Sequence, residues 1–364
     1  MNARVLVIVV SHNGMRWLPR CLSSVMPGAK TPDSAPEVAK KVFSGAKTAD
    51  SAPEVDVYVW DNASTDGSAD FVAENYPQAI LVRSRENLGF SIPNNKGFEY
   101  AVRQGYDYAY LLNQDAWVEP GALDLLVASA RAHPEYGVLS PLQMTDGYKD
   151  LDRQFAKWYS GSGTGAYSQT SFASLRSLPP TLSAGPSLPG EFCSPIVPQG
   201  TFSLKGHGRG WPWVLEHAPA PEPVPFIMAA HWLVPVRVVE KIGPFEEELF
   251  PLYGQDDEWC RRLHFFGLKV GVVPQARAVH DRQQRQEPLE RVVYRNYYTG
   301  SLVRLCDVSR PLFEKFLFVI AFTFVKTVKY RSALPFKYFR KICRDLPKVR
   351  KLRSLVRARA HNAK

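Results

Sequence analysis

The sequence has few of the features that define several common protein classes. Its five cysteines are scattered without a CxxC pair, which argues against a disulfide framework and a structural zinc site and fits a reducing cytosol. The turn after the first apolar run reads SHNG where a nicotinamide enzyme would have GxGxxG. No small-residue cleavage site follows the N-terminal run MNARVLVIVV, so we expect no signal peptide.

The net positive charge of the chain comes from its C-terminal end. The net charge is +10, yet from Lys326 to Lys364 a dense series of Lys and Arg is accompanied by a single acid, Asp345. The remainder is close to neutral. The basic character therefore belongs to the C-terminal part, and we expect no nucleic-acid partner for the main body.

Apolar runs and helical periodicities alternate along the first part of the chain. The predicted strands are Arg4–Val10, Val55–Trp60, Ala79–Arg83, Tyr108–Leu112 and Gly137–Ser140. The predicted helices are Trp17–Val25, Ser68–Asn75, Pro93–Gln104 and Pro120–Ala132. This alternation predicts an α/β fold with a mostly parallel sheet and helices on both faces. Ligands of such sheets bind beyond the carboxyl ends of the strands.

Two segments interrupt the alternation. AKTPDSAPEV at Ala29–Val38 returns as AKTADSAPEV at Ala46–Val55, which indicates a duplicated surface insertion over residues 29–55. Ser160–Pro225 is rich in Gly, Ser and Pro, and is typical of a functional loop or a lid on the acceptor side. Order resumes at Phe226, where FIMAAHWLVP predicts a returning strand.

The C-terminal part, residues 309–364, is expected to extend a main domain of residues 1–308. Its apolar stretch Leu312–Val325 is too short to span a bilayer comfortably. We predict an amphipathic helix in the membrane interface, held there by the basic tail. The alternative is a helix packed on the core, followed by a solvated tail.

Four polar clusters follow predicted strands and could carry chemistry. The first is the SHNG turn, and the second is WDNASTDGS, where Asp61 can accept hydrogen bonds from a base or a ribose while its neighbours form a turn and cap. In the third, LLNQDAW, Asn113 and Asp115 alternate and could hold Mg²⁺ or Mn²⁺ against a diphosphate.

The fourth cluster, YGQDDEWCRR, places three carboxylates at the start of a predicted helix, where the helix dipole favours negative charge. Asp257 and Glu258 are explained by that position and by a solvated helix face, whereas Asp256 is a candidate base. His280 follows the predicted strand Lys269–Val273; a lone histidine is more often structural than a ligand.

The order and spacing of these clusters resemble the inverting glycosyltransferase family 2, particularly its rhamnosyltransferase-like branch. The resemblance runs from Val5 to Tyr298 and is weakest across Ser160–Pro225. It rests on VIVVSHNG with LPRCLSS, WDNASTDGS, ENLGFSIPNNKGFEYA, LLNQDAWV, GPFEEELFPLYGQDDEWCRRLHFFG, His280 and YRNYY. It implies a GT-A fold with a C-terminal helical extension, a nucleotide-sugar donor and a Mg²⁺ or Mn²⁺ cofactor.

The resemblance also implies roles for single residues. Asp61 would contact the nucleotide base beside the SHNG turn. The other donor-binding residues would be Ser11, Asn13, Asn87, Gly89, Asn95, Asn113 and Arg262. Asp115 matches the last acid of a DxD-like metal motif, with His280 near the metal or diphosphate, and Asp256 matches the proposed general base.

Two positions depart from the family pattern. Asn113 stands where many relatives have Asp, which reduces the charge on the metal but keeps an oxygen ligand. Gln255 replaces the Glu before the base and so removes a negative charge that would raise the pKa of Asp256.

The function that follows is transfer of a sugar from a nucleotide diphosphate to an acceptor hydroxyl, with Asp256 as base. We expect the acceptor to be a lipid-linked saccharide of cell-envelope polysaccharide synthesis, at the cytoplasmic face of the membrane. A nucleotidyltransferase would need a basic, glycine-rich loop where this chain has SHNGMRW. A non-catalytic carbohydrate- or lipid-binding module would be favoured by loss of Asp256 or Asp115, and both are present.

Overall fold

A computed structural model describes residues 2–26, 52–146, 150–159, 219–281 and 287–362. The first copy of the duplicated segment, residues 46–51 of the second and residues 160–218 of Ser160–Pro225 lie outside the described residues. The predictions made for them stay predictions.

A mixed sheet of nine strands forms the centre of the described structure. The strands are β1 (Arg4–Ser11), β2 (Glu54–Asp61), β3 (Ile80–Arg83), β4 (Tyr108–Asn113), β5 (Ala116–Val118), β6 (Tyr136–Met144), β7 (Glu222–Val224), β8 (His231–Pro235) and β9 (Lys269–His280). Their order is β3-β2-β1-β4-β8-β6-β9-β5, with β7 also paired to β9. Strands β1, β2, β3, β4, β6 and β9 run in one direction, and β5, β7 and β8 run against them. The predicted mostly parallel sheet is therefore confirmed.

Helices cover both faces of this sheet, as expected. Those of the main body are α1 (Leu18–Val25), α2 (Ser68–Asn75), α3 (Ser91–Arg103), α4 (Ala122–Ala132), α5 (Arg153–Tyr159), α6 (Val236–Ile242) and α7 (Gln255–Phe265). Apolar side chains of α1, α2 and α4 join one buried core, and those of α3, α6 and α7 join a second. Strands with apolar residues on both sides are what such a three-layer arrangement requires.

Several boundaries and elements differ from the sequence prediction. Strand β8 begins at His231, so Phe226–Ala230 is a connecting segment and not the start of the strand. The strand predicted to end at Val273 continues to His280 as β9. Its pairing with β6 jumps from Val273 to Arg277, so the strand absorbs Pro274 in a bulge. Strands β5 and β7 had no counterpart in the prediction.

The chain from Leu289 to Asn362 is helical and packs on the main body. Leu289–Val293 (α8), the π-helical turn Tyr294–Thr299 and Gly300–Cys306 (α9) are continuous, and Leu312–Tyr330 (α10) and Leu334–Asn362 (α11) follow. A third apolar core joins residues from these helices to Leu249 and Phe250. None of the described helices combines the length and apolar character needed to cross a membrane. The alternative prediction was a solvated basic tail. The tail instead forms helix α11, and one side of this helix is buried.

Candidate active site

The carboxyl ends of three neighbouring parallel strands bring the first three polar clusters together. Ser11 at the end of β1 pairs with Asp61 at the end of β2, and Val10 pairs with Asn113 at the end of β4. The register alone therefore fixes Ser11, Asp61 and Asn113 along one edge of the sheet.

The turn after β1 is hydrogen-bonded to the turn after β2. The backbone N–H of Asn13 donates to Ser64 Oγ over 2.9 Å, and Asn13 Oδ1 accepts from the backbone N–H of Thr65 over 2.8 Å. Asn13 adopts a φ of 51°, a left-handed conformation that asparagine tolerates better than most residues. The side-chain oxygen of Asn13 is therefore already hydrogen-bonded within the two turns.

Gln114 is a site residue that the sequence reasoning missed. Its Oε1 accepts from Ser11 Oγ over 3.0 Å and from the backbone N–H of His12 over 2.8 Å. A Cβ on Gly14 would lie 2.4 Å from the same Oε1, so glycine lets the amide reach the turn. Its position between Asn113 and Asp115 in the NQD sequence was the available signal.

Asp61 presents a buried, unpartnered acceptor. The residue is 4% exposed, and its Oδ2 accepts from the backbone N–H of Ser64 over 3.1 Å. Its Oδ1 has no hydrogen-bond partner among the described residues. Because buried polar atoms are normally bonded, this oxygen marks a place where a ligand donor would fit.

The loop before α3 links the β2 turn to the segment before α7. Asn62 Nδ2 donates to Asn87 Oδ1 over 3.0 Å and to the Gly89 carbonyl over 2.7 Å. Gly89 has a φ of +78°, and a Cβ there would lie 2.4 Å from the Pro251 carbonyl oxygen. Asn87 and Gly89 thus hold the loop before α3 against Asn62 and Pro251, and their predicted contacts with a donor stay predictions.

Asn95 is held by the segment after α6. Its Nδ2 donates to the Phe245 carbonyl and to Glu247 Oε2, both over 2.9 Å, and its Oδ1 accepts from the Phe245 N–H over 2.9 Å. These contacts account for the side chain as a link between α3 and the chain that leads to α7.

Asp115 and His280 meet because β5 pairs with the end of β9. Ala116 lies opposite His280 in this antiparallel pair, and the Asp115 carbonyl accepts from the Asp281 N–H over 2.8 Å. Asp115 Oδ1 lies 3.5 Å from His280 Nε2. His280 is 6% exposed, and its Nδ1 has no partner among the described residues.

His231 packs beside His280 and is held neutral. Its Nε2 lies 3.0 Å from the Val279 carbonyl and its Nδ1 lies 2.9 Å from the Tyr110 hydroxyl. Burial, together with the nearby ring of His280, lowers the pKa of His231 to about 3. The neutral ring fixes the end of β9 without adding charge to the site.

Asp256 lies at the start of α7 with a perturbed carboxyl group. Burial, with the neighbouring Asp257 carboxylate, raises the pKa of Asp256 to about 6. The backbone N–H groups of Asp257 and Ala229 donate to this carboxylate. The next residue, Ala230, accepts from the Asn113 N–H over 3.1 Å, which ties the base to the end of β4.

From the sequence we expected that Gln255, in place of a Glu, would remove a charge that raises the pKa of Asp256. The pKa is raised nonetheless, through burial and through Asp257 on the other side. Gln255 itself is buried, and its Oε1 has no partner among the described residues.

The remaining charges of α7 are engaged in structural ion pairs. Asp257 pairs with Arg261 over 2.8 Å, and Glu258 pairs with Arg262 over 2.5 Å. Arg262 is 6% exposed and also donates to the Ile242 and Pro244 carbonyls over 3.1 and 2.8 Å. These contacts place Arg262 in a buried network that anchors α7, and its role in donor binding stays a prediction.

The Asp115–His280 pair suits a metal ion that a substrate also binds. Within the described ranges no group of three or more His, Cys, Asp or Glu residues could hold a metal by itself. Mg²⁺ and Mn²⁺ often take one or two protein ligands and complete their shell with phosphate oxygens and water. The Asp115 carboxylate and the His280 imidazole, whose Nδ1 has no partner among the described residues, are compatible with that arrangement.

Residues 6–175 match the sequence model of a family described as Glycosyl transferase family 2. This part of the chain carries the SHNG turn, Asp61, Gly89 and Asp115, whereas Asp256 and His280 lie beyond it. The match covers less than half of the chain, so this part is similar to Glycosyl transferase family 2, which supports a glycosyltransferase. No curated protein matches the chain significantly in sequence.

Solved structures with some likeness to the chain include three transferases. TarS of S. aureus, residues 1–349, is 12% identical, with 86% of this chain and 68% of that chain covered and a TM-score of 0.46. GalNAc-T7 with UDP, GalNAc and Mn²⁺ is 12% identical, with 95% and 58% covered and a TM-score of 0.45. The mannosyltransferase PcManGT of Pyrobaculum calidifontis with GDP-Man and Mn²⁺ is 17% identical, with 100% and 76% covered and a TM-score of 0.43. At these TM-scores we draw no functional argument from the likeness.

Proposed function

We propose that this protein is an inverting glycosyltransferase of the GT-A fold that moves a sugar from a nucleotide diphosphate to an acceptor hydroxyl. The observation that carries the proposal is the carboxylate of Asp256, whose raised pKa and position near the end of β4 suit a general base. The family match over residues 6–175 supports the reaction class. A rhamnosyl donor is the expectation from the resemblance.

The donor is proposed to lie along the carboxyl edge of the sheet. Asp61 Oδ1 would accept a hydrogen bond from the base or ribose, because it is buried and lacks a partner among the described residues. Ser11 and Asn113 border the same edge. Asp115 and His280 would hold Mg²⁺ or Mn²⁺, which neutralises charge on the departing diphosphate when bound.

The proposed chemical step needs one base on the protein. Asp256 removes the proton from the acceptor hydroxyl, whose oxygen bonds to the anomeric carbon while the bond from that carbon to the diphosphate breaks. General-base assistance of this kind contributes roughly 10²–10⁴ in rate. Because the displacement inverts the anomeric centre directly, no covalent sugar–enzyme intermediate is required.

The acceptor is proposed to be a lipid-linked saccharide presented at a cytoplasmic membrane surface, as in cell-envelope polysaccharide synthesis. Supporting this, α10 exposes an apolar stripe consisting of Phe313, Leu317, Phe324, Val325 and Val328. These residues recur at helical spacing on one side of α10, and basic residues of α11 follow directly. An apolar helix face flanked by Lys and Arg is typical of contact with anionic lipid.

Calorimetry with a panel of nucleotide sugars tests the donor site. Each titration is run with Mn²⁺, with Mg²⁺ and with EDTA, on the wild-type chain and on Asp61→Asn. We expect one donor to bind in a metal-dependent manner, and Asp61→Asn to weaken it about tenfold, since a bond to a charged group is worth roughly 1.5–3 kcal/mol.

Asp70→Asn is the matched control for this titration. It removes the same charge from a mostly exposed carboxylate that pairs with Arg83, and it should leave donor affinity unchanged. If no nucleotide sugar binds the wild-type chain under any condition, the non-catalytic module replaces the transferase as the better explanation.

A further inference from the structure

A cavity lined by four arginines lies in the C-terminal helical part. It has a volume of about 580 Å³ and is bounded by Val308–Leu312 on one side and by α11 on the other. Arg310, Arg350, Arg353 and Arg357 line it, together with the hydroxyls of Ser309 and Ser354. It shares no lining residue with the cluster at the edge of the sheet, and nothing in the proposed glycosyl transfer uses it.

The cavity gathers positive charge without a matching acid. Arg350, Arg353 and Arg357 follow one another at spacings of three and four residues, so they share one face of α11. Arg310, Arg350 and Arg357 are exposed and form no ion pair among the described residues. Like charges at this spacing repel each other, so the arrangement gains nothing for the helix itself.

The acid that directly precedes the cavity wall Val308–Leu312, Asp307, is already engaged elsewhere. Asp307 pairs with Lys315 over 2.7 Å and with Arg261 over 3.5 Å. Although burial alone would raise it, the pKa of Asp307 is held at about 2, chiefly by hydrogen bonds from Lys315 and Ser309. This carboxylate therefore cannot neutralise the exposed arginines of the cavity.

Arg353, unlike the other three arginines of the cavity, is buried and held by hydrogen bonds to backbone carbonyls. It is 4% exposed, and its guanidinium donates to the Leu305 carbonyl over 2.9 Å, to the Arg310 carbonyl over 2.7 Å and to the Asp307 carbonyl. Burial and the charge of Arg357 both lower the pKa of Arg353, so the two guanidinium groups repel each other. An anion between them would relieve that repulsion.

The start of α10 adds further donors. Leu312 is the first residue of this 19-residue helix and lines the cavity, and no side chain caps the first turn. The unpaired N–H groups at a helix start attract anions. Guanidinium groups, hydroxyls and a helix start together match the oxygens of a phosphate group.

We propose that the cavity formed by Ser309, Arg310, Arg350, Arg353, Ser354 and Arg357 binds a phosphate group. Two sources supply that chemistry, a free phosphate or diphosphate and the headgroup of an anionic phospholipid. Arg350 and Arg357 bind the phosphate oxygens from the α11 side, and Arg310 closes the site from the opposite wall. The site is independent of the donor edge and of the proposed glycosyl transfer.

The test compares the wild-type full chain with the double variant Arg350→Gln/Arg357→Gln. Pyrophosphate binding is followed by calorimetry with EDTA present, and lipid binding by co-sedimentation with phosphatidylcholine vesicles with and without phosphatidylglycerol. The control Arg340→Gln/Lys351→Gln removes two charges from exposed positions of the same helix that do not line the cavity. Circular dichroism checks that both variants keep the helix.

We expect the cavity variant to lose roughly tenfold or more in affinity for one of the two probes, because two charge-assisted contacts are removed. The control should lose much less. Loss for pyrophosphate alone identifies a free phosphate, and loss for phosphatidylglycerol vesicles identifies a lipid headgroup. If the wild-type chain binds neither probe, or if both variants lose affinity equally, the proposal is overturned.

Discussion

Eight buried side-chain atoms of the described residues have no hydrogen-bond partner there, and three of them belong to the candidate site or its neighbours: Asp61 Oδ1, Gln255 Oε1 and His280 Nδ1. Leaving a buried polar atom unbonded costs about 1–3 kcal/mol. Two of the three, on Asp61 and His280, lie at the ends of β2 and β9, where a polar ligand could supply the missing bond. At the scale of single residues, this pattern and Asp256 carry the functional interpretation.

The raised pKa of Asp256 makes a prediction about stability that does not depend on activity. Between pH values of about 4 and 6 the folded chain keeps a proton on Asp256 that the unfolded chain has lost. Stability therefore falls as the pH rises through this window, because the folded state binds more protons. Asp256→Asn removes this titration.

Thermal melting across pH checks this prediction. The Tm of the wild-type chain minus that of Asp256→Asn should fall by a few degrees as the pH rises from about 4 to about 6 and then level off. A difference that stays constant over this range would show that the Asp256 carboxyl is not perturbed.

At the scale of elements, the approach of the α3 loop to the segment before α7 is set by Gly89. Alanine there would combine a left-handed φ, which costs roughly 1–2 kcal/mol, with a clash against the Pro251 carbonyl. We expect Gly89→Ala to lower the Tm and to reduce donor turnover, since Pro251 leads directly to the helix that carries Asp256.

Gly105→Ala provides the matched control for this substitution. Gly105 has a φ of +68°, and nothing lies within 4 Å of the Cβ that alanine would add. We expect Gly105→Ala to lower the Tm only through the free-energy cost of a left-handed φ and to leave donor turnover unchanged. Equal effects of the two substitutions on melting and turnover would contradict a positioning role for the contact between Gly89 and Pro251.

The sequence predicted most elements of the main body, and it missed those that depend on distant pairing. Helix Ser68–Asn75 was predicted with its observed limits, because its apolar periodicity and the preceding turn are local signals. Strand β5 has three residues, too few for a periodic pattern, and exists because β9 pairs with it. The strand predicted to end at Val273 continues as β9 past Pro274 through a bulge.

The candidate site was predictable to a similar degree. Ser11, Asp61 and Asn113 were expected at one edge, and strand register brings them there. No signal in the sequence indicated the contacts of Arg262 with Glu258, Ile242 and Pro244, which only the folded chain reveals, and its expected role at the donor stays a prediction.

At the scale of the whole molecule, the apolar stripe of α10 gives the protein a face suited to a lipid surface. Phe324 and Val328 are 57% and 78% exposed. We expect Phe324→Ser/Val328→Ser to weaken binding to anionic vesicles roughly tenfold or more, because burial of such a side chain contributes about 1.5–3 kcal/mol.

The control for this prediction replaces two exposed apolar residues outside the stripe. Leu289 and Val102 are 45% and 36% exposed and lie on α8 and α3. Leu289→Ser/Val102→Ser should bind vesicles as the wild-type chain does. Equal vesicle binding by all three proteins would argue against the stripe as the membrane contact.

The most direct test of the transferase itself is nucleoside diphosphate release from a panel of nucleotide sugars, with lipid-diphosphate acceptors in detergent and with Mn²⁺, Mg²⁺ or EDTA. Wild type, Asp256→Asn and Asp257→Asn are measured side by side, since Asp257 pairs with Arg261 and should be dispensable for the proton transfer. We predict metal-dependent release from one donor, lowered roughly 10²–10⁴-fold in Asp256→Asn and far less in Asp257→Asn. Undiminished release by Asp256→Asn, or no release from any donor by the wild-type chain, would contradict the account.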